Sequence, residues 1–284
     1  MAELSHSGYS DCVVCGTADH VAMCQRRQSE PLRVGISGLQ GSGKSTLARQ
    51  VQGMWEQRGV ATTLFSLDDF YLTQGERLRL AREVHPLLAT RGVPGTHDFE
   101  WLIDTLDQLS SASVQRPVMI PHFDKHTDDR TESNLWQKIS APPDVTLFDG
   151  WCVGVPAQDD ESLLKPINAL ERDDDDNGIW RRWVNTKLRE QYEPIWRSLD
   201  TLIVLQAPSF DVVERWRGQA ERKRCAQGDA SALSGDQLAR FIAHYERLSR
   251  QALETLPACA DHLLLLDAER NVLAVEHSRS HPSQ

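Results

Sequence analysis

The feature that most constrains this chain is the segment Gly38-Leu-Gln-Gly-Ser-Gly-Lys-Ser-Thr46. It matches in full the pattern G-x-x-x-x-G-K-[ST], in which a glycine-rich loop between a strand and a helix wraps around phosphate groups. The apolar run 32–37 precedes the loop and predicts a buried strand. Apolar residues at helical spacing follow it: Leu47, Ala48, Val51, Met54 and Trp55. The order of elements that the motif requires is therefore present.

Each fixed position of the loop has a chemical reason. The glycines let backbone N–H groups approach phosphate oxygens closely. Lys44 is expected to reach the outer phosphates of a nucleotide, and the Ser45 hydroxyl to hold Mg²⁺. The helix that begins near Lys44 adds the positive end of its dipole. The predicted nucleotide-binding residues are Gly38, Gln40, Gly41, Ser42, Gly43, Lys44, Ser45 and Thr46.

Size and charge narrow the class of protein. A chain of 284 residues suits one large α/β domain, or one domain with insertions. A net charge of −10 argues against a broad surface for nucleic acid or anionic membrane. The sequence shows no apolar run of membrane-spanning length and no signal-peptide core, so we expect a cytoplasmic protein. The six cysteines are too scattered for a disulfide framework, which suits a reducing compartment.

Residues 1–30 are polar and lack sustained periodicity, so they are predicted to form a loosely attached, possibly flexible extension. Within them, Cys12, Cys15, His20 and Cys24 resemble a zinc knuckle that is one residue short before the last cysteine. A closed site needs all four ligands at one centre. An unliganded tail is the favoured interpretation, and no zinc site is predicted.

Farther along, residues 173–176 are four adjacent aspartates, which predict a solvated loop.

Strand and helix patterns alternate along the rest of the chain. The strands are predicted at 61–67, 117–124, 145–148, 201–205 and 262–267, and the helices at 76–89, 99–109, 184–199 and 238–248. This alternation predicts an α/β fold, with a mostly parallel sheet and helices on both faces. Ligands in such folds collect at the carboxyl ends of the strands.

Two acidic positions lie at those strand ends. Asp149 is expected to complete the Mg²⁺ shell opposite Ser45, although a turn aspartate before Gly150 is an alternative. Asp68 is the candidate that orients and deprotonates an alcohol during phosphoryl transfer. Its neighbour Asp69 is interpreted as a cap or a surface carboxylate.

The basic segment 209–227 follows the predicted strand 201–205. Arginines spaced along a helix can close over a triphosphate and neutralise charge in the transition state. A solvated helix face explains the same composition.

Several blocks together resemble one known family, the D-glycerate 3-kinases of plants, fungi and bacteria. That family belongs to the wider P-loop group with phosphoribulokinase, uridine kinase and pantothenate kinase. The resemblance runs from about residue 32 to 270, and block 91–98 is its most specific part. The blocks are Ser66-Leu-Asp-Asp-Phe-Tyr71, Arg91-Gly-Val-Pro-Gly-Thr-His-Asp98, Pro121-His-Phe-Asp-Lys125, Asp129-Arg130, Leu147-Phe-Asp-Gly-Trp151 and Trp216-Arg-Gly-Gln-Ala-Glu221.

The resemblance implies a P-loop NTPase fold over residues 31–284, with a helical lid at about 209–230. It implies ATP and Mg²⁺ as cofactors and phosphorylation of D-glycerate to 3-phosphoglycerate. The implied catalytic residues are Asp68 as base, Lys44, and Arg217 as the lid arginine. The position of Asp149 is often Glu in the wider group.

Glycerate carries a carboxylate and hydroxyls, so its site needs cations and hydrogen-bond donors. The candidates within the specific blocks are Tyr71, Arg91, His97, Asp98, Lys125 and Arg130. Asp98 is also a plausible N-cap of the helix 99–109.

Three other functions stay open at this point. One is a kinase for a different small alcohol, such as a pantothenate-like or nucleoside-like substrate. Another is an ATP-binding regulator without transfer activity. The third is nucleic-acid binding through the Cys/His tail, which requires bound zinc. Against the regulator, a base candidate accompanies the phosphate loop, and the sequence lacks the guanine-reading motif Asn-Lys-x-Asp. The sequence indicates no oligomeric state.

Overall fold

The computed structural model describes residues 8–25, 31–226, 228–229 and 232–277. The parts of the predicted extension at 1–7 and 26–30 lie outside the described residues. The strands are β1 Leu32–Gly38, β2 Thr62–Ser66, β3 Val118–Ile120, β4 Phe123–Asp124, β5 Asp129–Arg130, β6 Gln137–Ile139, β7 Val145–Gly150, β8 Thr201–Gln206, β9 His262–Leu266 and β10 Val272–His277.

A six-stranded sheet in the order β10-β9-β8-β1-β7-β2 forms the centre of the molecule. All its neighbouring strands are parallel except β9 and β10. The predicted α/β fold with a mostly parallel sheet is therefore confirmed. Strand β10 was not predicted, because it is an exposed edge strand and lacks the buried apolar run of its neighbours. The short strands form two hairpin-like pairs, β3 with β6 and β4 with β5.

The described helices flank this sheet, and three were predicted with the wrong boundaries. The predicted helix 76–89 divides into a helix at Gln74–Glu83 and a 3₁₀ turn at Pro86–Ala89, and the predicted helix 238–248 spans Gly235–Cys259. The predicted helix 184–199 begins earlier, contains a π-helical segment at 188–192, and ends at Trp196. No described helix is long and apolar enough to span a membrane. The helices are α1 Asp11–Gln25, α2 Lys44–Gln57, α3 Gln74–Glu83, α4 Phe99–Leu109, α5 Ala169–Asp174, α6 Ile179–Lys187, α7 Glu193–Trp196, α8 Val212–Ala226 and α9 Gly235–Cys259.

Helix α1 corrects the prediction of a loosely attached extension. Its buried residues Val14, Ala18 and Val21 recur at helical spacing and pack in the core, where α1 contacts α2. Trp55 of α2 donates its indole N–H to the Ala18 carbonyl at 3.3 Å. The helical pattern was missed because small and polar residues dilute it. The sequence-based prediction is thus wrong for this part of residues 1–30.

The same helix determines where the cysteines of the knuckle-like motif lie. Cys12 and Cys15 are free thiols near the start of α1. His20 lies farther along α1 and contacts His262 of β9 instead.

The acidic run 173–176 is also more structured than a solvated loop. Asp175 is 2% exposed and accepts hydrogen bonds from the backbone N–H groups of Trp180 and Arg181 at 2.7 and 3.1 Å. The Arg181 guanidinium forms a buried ion pair with the same carboxylate at 3.0 Å. The prediction is wrong for Asp175, because this carboxylate holds the first turn of α6.

Candidate active site

The glycine-rich loop connects β1 to α2 and turns through left-handed backbone conformations. Gly41 and Gly43 have φ values of 79° and 94°, which glycine adopts without the strain that a side chain would add. Gly41 also lies close to α8, the helix of the predicted lid, since a Cβ at this position would come 2.7 Å from the Cβ of Trp216. The first turn of α2 is closed by the Leu47 N–H, which donates to the Gly43 carbonyl at 3.0 Å. This geometry suits the binding of phosphate groups.

Two oxygen ligands meet beside this loop. Strand β7 is parallel to β1, with Asp149 opposite Ile36, and this register brings Asp149 to the first turn of α2. The Ser45 hydroxyl donates to the Asp149 carboxylate at 2.5 Å, and Asp149 is 2% exposed. Hydroxyl and carboxylate oxygens are ligands that Mg²⁺ accepts, so the pair fits a magnesium site. Burial lowers the pKa of Lys44, although Asp149 and Asp68 oppose that shift.

Asp68 lies in a 3₁₀ turn, Leu67–Phe70, directly after β2. One oxygen of its carboxylate accepts from the Tyr71 hydroxyl at 2.8 Å, and the other accepts from the Lys125 ammonium at 2.5 Å. Burial raises the pKa of Asp68, but the charges of Lys125 and Lys44 and the two hydrogen bonds outweigh it. The resulting pKa lies well below the ordinary value. The carboxylate is therefore ionised and can accept a hydrogen bond from a hydroxyl group.

Asp69 also lines the cleft, but its carboxylate has different partners. Its carboxylate accepts from the Ser66 backbone N–H at 3.0 Å, which completes a capping box around the 3₁₀ turn. A second oxygen lies 3.0 Å from the His122 ring nitrogen Nδ1. The interpretation of Asp69 as a cap is confirmed.

Arg91 lies in the irregular loop before α4 and faces the same cleft as Asp68. Its guanidinium forms an ion pair with Asp128, whose carboxylate also pairs with the fully buried Arg77 at 2.5 Å. The Arg91 carbonyl accepts from the Tyr245 hydroxyl at 2.8 Å, and a Cβ at Gly92 would overlap that hydroxyl. The loop is thus held on both sides.

Three of the predicted substrate contacts do not reach the lining of the cleft: His97, Asp98 and Arg130. His97 stacks behind Tyr71 with ring centroids 4.7 Å apart, and burial lowers the pKa of His97 to about 3. A neutral imidazole in that place offers no cation to a substrate.

Asp98 and Arg130 form a second support for Tyr71. Asp98 caps α4 by accepting from the Trp101 N–H at 3.3 Å, so its alternative interpretation as an N-cap is confirmed. The Arg130 guanidinium pairs with Asp98 at 2.9 Å and donates to the Tyr71 carbonyl at 3.0 Å. In a loop, the direction of each side chain depends on such long-range partners, and sequence spacing does not reveal it.

The phosphate loop and three of the acceptor candidates, Tyr71, Arg91 and Lys125, share one cleft of about 970 Å³. The predicted residues that line it include Gln40, Gly41, Gly43, Lys44, Ser45, Thr46, Asp68, Tyr71, Arg91, Lys125, Asp149 and Arg217. The phosphates of a nucleotide and a small polar acceptor would therefore occupy neighbouring parts of the same cleft.

Arg217 projects from the lid helix α8 into this cleft. Its guanidinium pairs with the buried Glu221 one turn later at 2.6 Å and lies 5.4 Å from the centre of the Phe241 ring. These two contacts hold the arginine in place beside the phosphate loop.

Arg270 was missed by sequence reasoning. It lies in the turn between β9 and β10 at φ 70°, donates to the Gly41 carbonyl at 2.5 Å, and stacks 5.0 Å from the Trp216 ring. Its position just beyond the carboxyl end of a parallel strand was the available signal.

Comparison with known proteins agrees with this geometry. No protein-family model matches the chain. An uncharacterized kinase of Schizosaccharomyces pombe, mug58, is 35% identical over 226 residues, which cover 77% of this chain and 79% of the relative. The chloroplastic D-glycerate 3-kinase of Arabidopsis thaliana is 30% identical over 237 residues, or 80% of this chain, and the chain spans about half (49%) of that protein's length.

Among solved structures, D-glycerate 3-kinase from Cryptococcus neoformans superimposes with a TM-score of 0.77 at 23% identity, over 94% of this chain and 100% of that chain. This likeness shows that the fold is shared. The identities to the fission-yeast and Arabidopsis kinases establish the kinship that the residue blocks indicated. The chain belongs to the D-glycerate 3-kinase family of ATP-dependent P-loop kinases.

Proposed function

We propose that this kinase transfers the γ-phosphoryl group of ATP to the 3-hydroxyl of D-glycerate, giving 3-phosphoglycerate and ADP. The observation that carries the proposal is the position of the ionised Asp68 carboxylate. It lies in the same cleft as Lys44 of the phosphate loop, in contact with Lys125 and near the Arg91 loop. A carboxylate base and two cations are the groups that a small hydroxy acid needs.

The donor half of the cleft is the phosphate loop, Gly38 to Thr46. Backbone N–H groups and the Lys44 ammonium would bind the β- and γ-phosphates, and Arg217 would neutralise charge that develops on the transferred group. The contacts of Arg217 with Glu221 and Phe241 support this role, because they hold the guanidinium at the edge of the cleft.

Ser45 and Asp149 would hold Mg²⁺. An ion held there would supply positive charge that offsets the negative charge of the phosphates. The fit rests on the two converging oxygen ligands and on the burial of Asp149.

Asp68 would accept the proton of the attacking hydroxyl. A bond forms between the 3-oxygen of glycerate and the γ-phosphorus, and the bond from that phosphorus to the bridging oxygen of ADP breaks. Lys125 and Arg91 would bind the substrate carboxylate, which favours a hydroxy acid over an uncharged alcohol. Tyr71 positions Asp68, while His97, Asp98 and Arg130 hold Tyr71 rather than touch the substrate.

We further propose that the enzyme works in the cytoplasm. The described cysteines Cys12, Cys15, Cys152, Cys225 and Cys259 are free thiols, which suits a reducing compartment.

The test is ADP release with ATP and Mg²⁺ against a panel of D-glycerate, L-glycerate, pantothenate and uridine. D-Glycerate is expected to give the highest kcat/KM, with phosphate on the 3-oxygen by NMR. If glycerate gave no more turnover than buffer while another alcohol was phosphorylated, the proposal of kinase activity would be supported and the proposal of glycerate as substrate would be wrong.

A further inference from the structure

Three histidines meet on the side of the molecule where α1 packs against the antiparallel edge of the sheet. His20 comes from α1, His262 begins β9, and His277 ends β10. The three ring centroids are 4.8 to 5.0 Å apart, and one nitrogen from each ring lies within 4.8 Å of the other two. None of the three lines the cleft of the candidate active site.

The hydrogen bonds of Thr17 determine which nitrogen of His262 carries the proton. The Thr17 hydroxyl donates its only hydrogen to the Val13 carbonyl at 2.9 Å. The contact of 3.0 Å between this hydroxyl and His262 Nε2 must then be a bond donated by the imidazole. His262 Nδ1 therefore carries a lone pair, and it faces His277 Nδ1 at 3.1 Å. A ring whose other N–H donates to a protein oxygen is the usual arrangement of a metal-binding histidine.

His20 adds an atom without a partner. Its Nε2 is buried and makes no hydrogen bond among the described residues. His20 therefore has a buried nitrogen available as a ligand beside the His262–His277 pair.

We propose that His20, His262 and His277 form a binding site for a divalent transition metal of the zinc or cobalt type, separate from the magnesium site of the kinase reaction. Imidazole ligands select such ions over Mg²⁺, which prefers oxygen. Tetrahedral binding at about 2.0–2.1 Å places ligand nitrogens about 3.3 Å apart. The His262–His277 pair already lies close to this spacing, and the ligand atoms of all three histidines lie within 4.8 Å of one another.

Occupation of this site would fasten α1 to β9 and β10, because each of the three elements supplies one ligand. Three protein ligands leave a fourth tetrahedral position for water. The expected consequence is a more stable attachment of α1, with no change required in the kinase cleft.

The test is titration of the untagged full-length protein with Co²⁺ and Zn²⁺ in excess Mg²⁺. We expect one equivalent of Co²⁺ with the intense visible absorption of a tetrahedral site, displacement by Zn²⁺, and a higher Tm. His277→Ala, which alters an exposed side chain, should weaken binding at least tenfold and abolish the shift in Tm. His126→Ala, at another exposed histidine, should leave both unchanged.

Thr17 provides a second, independent readout. Thr17→Val removes the acceptor that orients His262 and should weaken metal binding by about 10- to 100-fold, whereas Thr17→Ser should retain it. The proposal is overturned if the wild type binds no Co²⁺ at concentrations far above those of the protein. It is equally overturned if His277→Ala binds the ion as tightly as the wild type.

Discussion

The Lys125 ammonium lies 2.5 Å from the Asp68 carboxylate, and its side chain is still 47% exposed. Lys125 therefore has two functions in the proposed reaction. It keeps Asp68 ionised before the substrate arrives, and its exposed part is available to the substrate carboxylate. When the substrate carboxylate also binds the Lys125 ammonium, the ammonium stabilises the ionised form of Asp68 less. The pKa of Asp68 then rises, and Asp68 becomes a stronger base.

Replacing Lys125 should therefore change the pH dependence of catalysis. The positive charge lowers the pKa of Asp68, so Lys125→Met should raise it. Because the base acts in its deprotonated form, the acidic limb of the kcat/KM profile should move to higher pH, and the KM for glycerate should increase. Lys138→Met, at an exposed lysine of β6, is the control and should retain the wild-type pH profile. Any pH effect that comes from titration of the substrate is the same for this variant and for the wild type. An unchanged limb, or one at lower pH, would contradict the coupling.

The oxygen pair Ser45 and Asp149 should control the magnesium requirement. Asp149→Asn removes a charged ligand, so half-maximal turnover should need at least tenfold more Mg²⁺ at fixed ATP. Ser45→Ala should act in the same direction, and the double variant should show less than the sum of the two effects because both bind the same ion. Asp144→Asn, before the opposite end of β7, serves as the control. A magnesium titration identical to the wild type would remove Asp149 from this role.

The Arg91 loop should tolerate no side chain at Gly92. This glycine has φ 126°, and the Tyr245 hydroxyl occupies the place of its Cβ. We expect Gly92→Ala to lower the free energy of unfolding by about 2–4 kcal/mol in urea. Gly53→Ala, inside α2, is the matched control, since no atom lies within 4 Å of the place that the new Cβ would take. The higher helix propensity of alanine should raise the free energy of unfolding of this variant by about 1 kcal/mol. Equal stability of the two variants would show that the loop yields to Tyr245.

Local pattern was sufficient for the phosphate loop and its magnesium ligands. The phosphate loop, Asp149 and the buried strands follow from residue spacing over short segments. The motif requires a strand before it and a helix after it, and β1 and α2 occupy those places. A parallel register then brings Asp149 to Ser45 without further information.

The acceptor half depends on contacts between distant parts of the chain, so sequence spacing reached it only in part. Asp98 and Arg130 are 32 positions apart and pair with each other behind Tyr71, which withdraws both from the cleft. In the donor half, Arg270 likewise reaches Gly41 across 229 positions. No periodicity reports either relationship.

The most direct test of the proposed mechanism is a single-turnover assay of Asp68→Asn with saturating ATP, Mg²⁺ and D-glycerate. Asparagine keeps the shape of the side chain but accepts no proton, so phosphoryl transfer should fall by about 10²–10⁴-fold while the Kd for ATP stays within a few-fold. Asp69→Asn, the capping neighbour, should transfer phosphate at nearly the wild-type rate. Undiminished formation of 3-phosphoglycerate by Asp68→Asn would contradict the assignment of the base and with it the proposed mechanism.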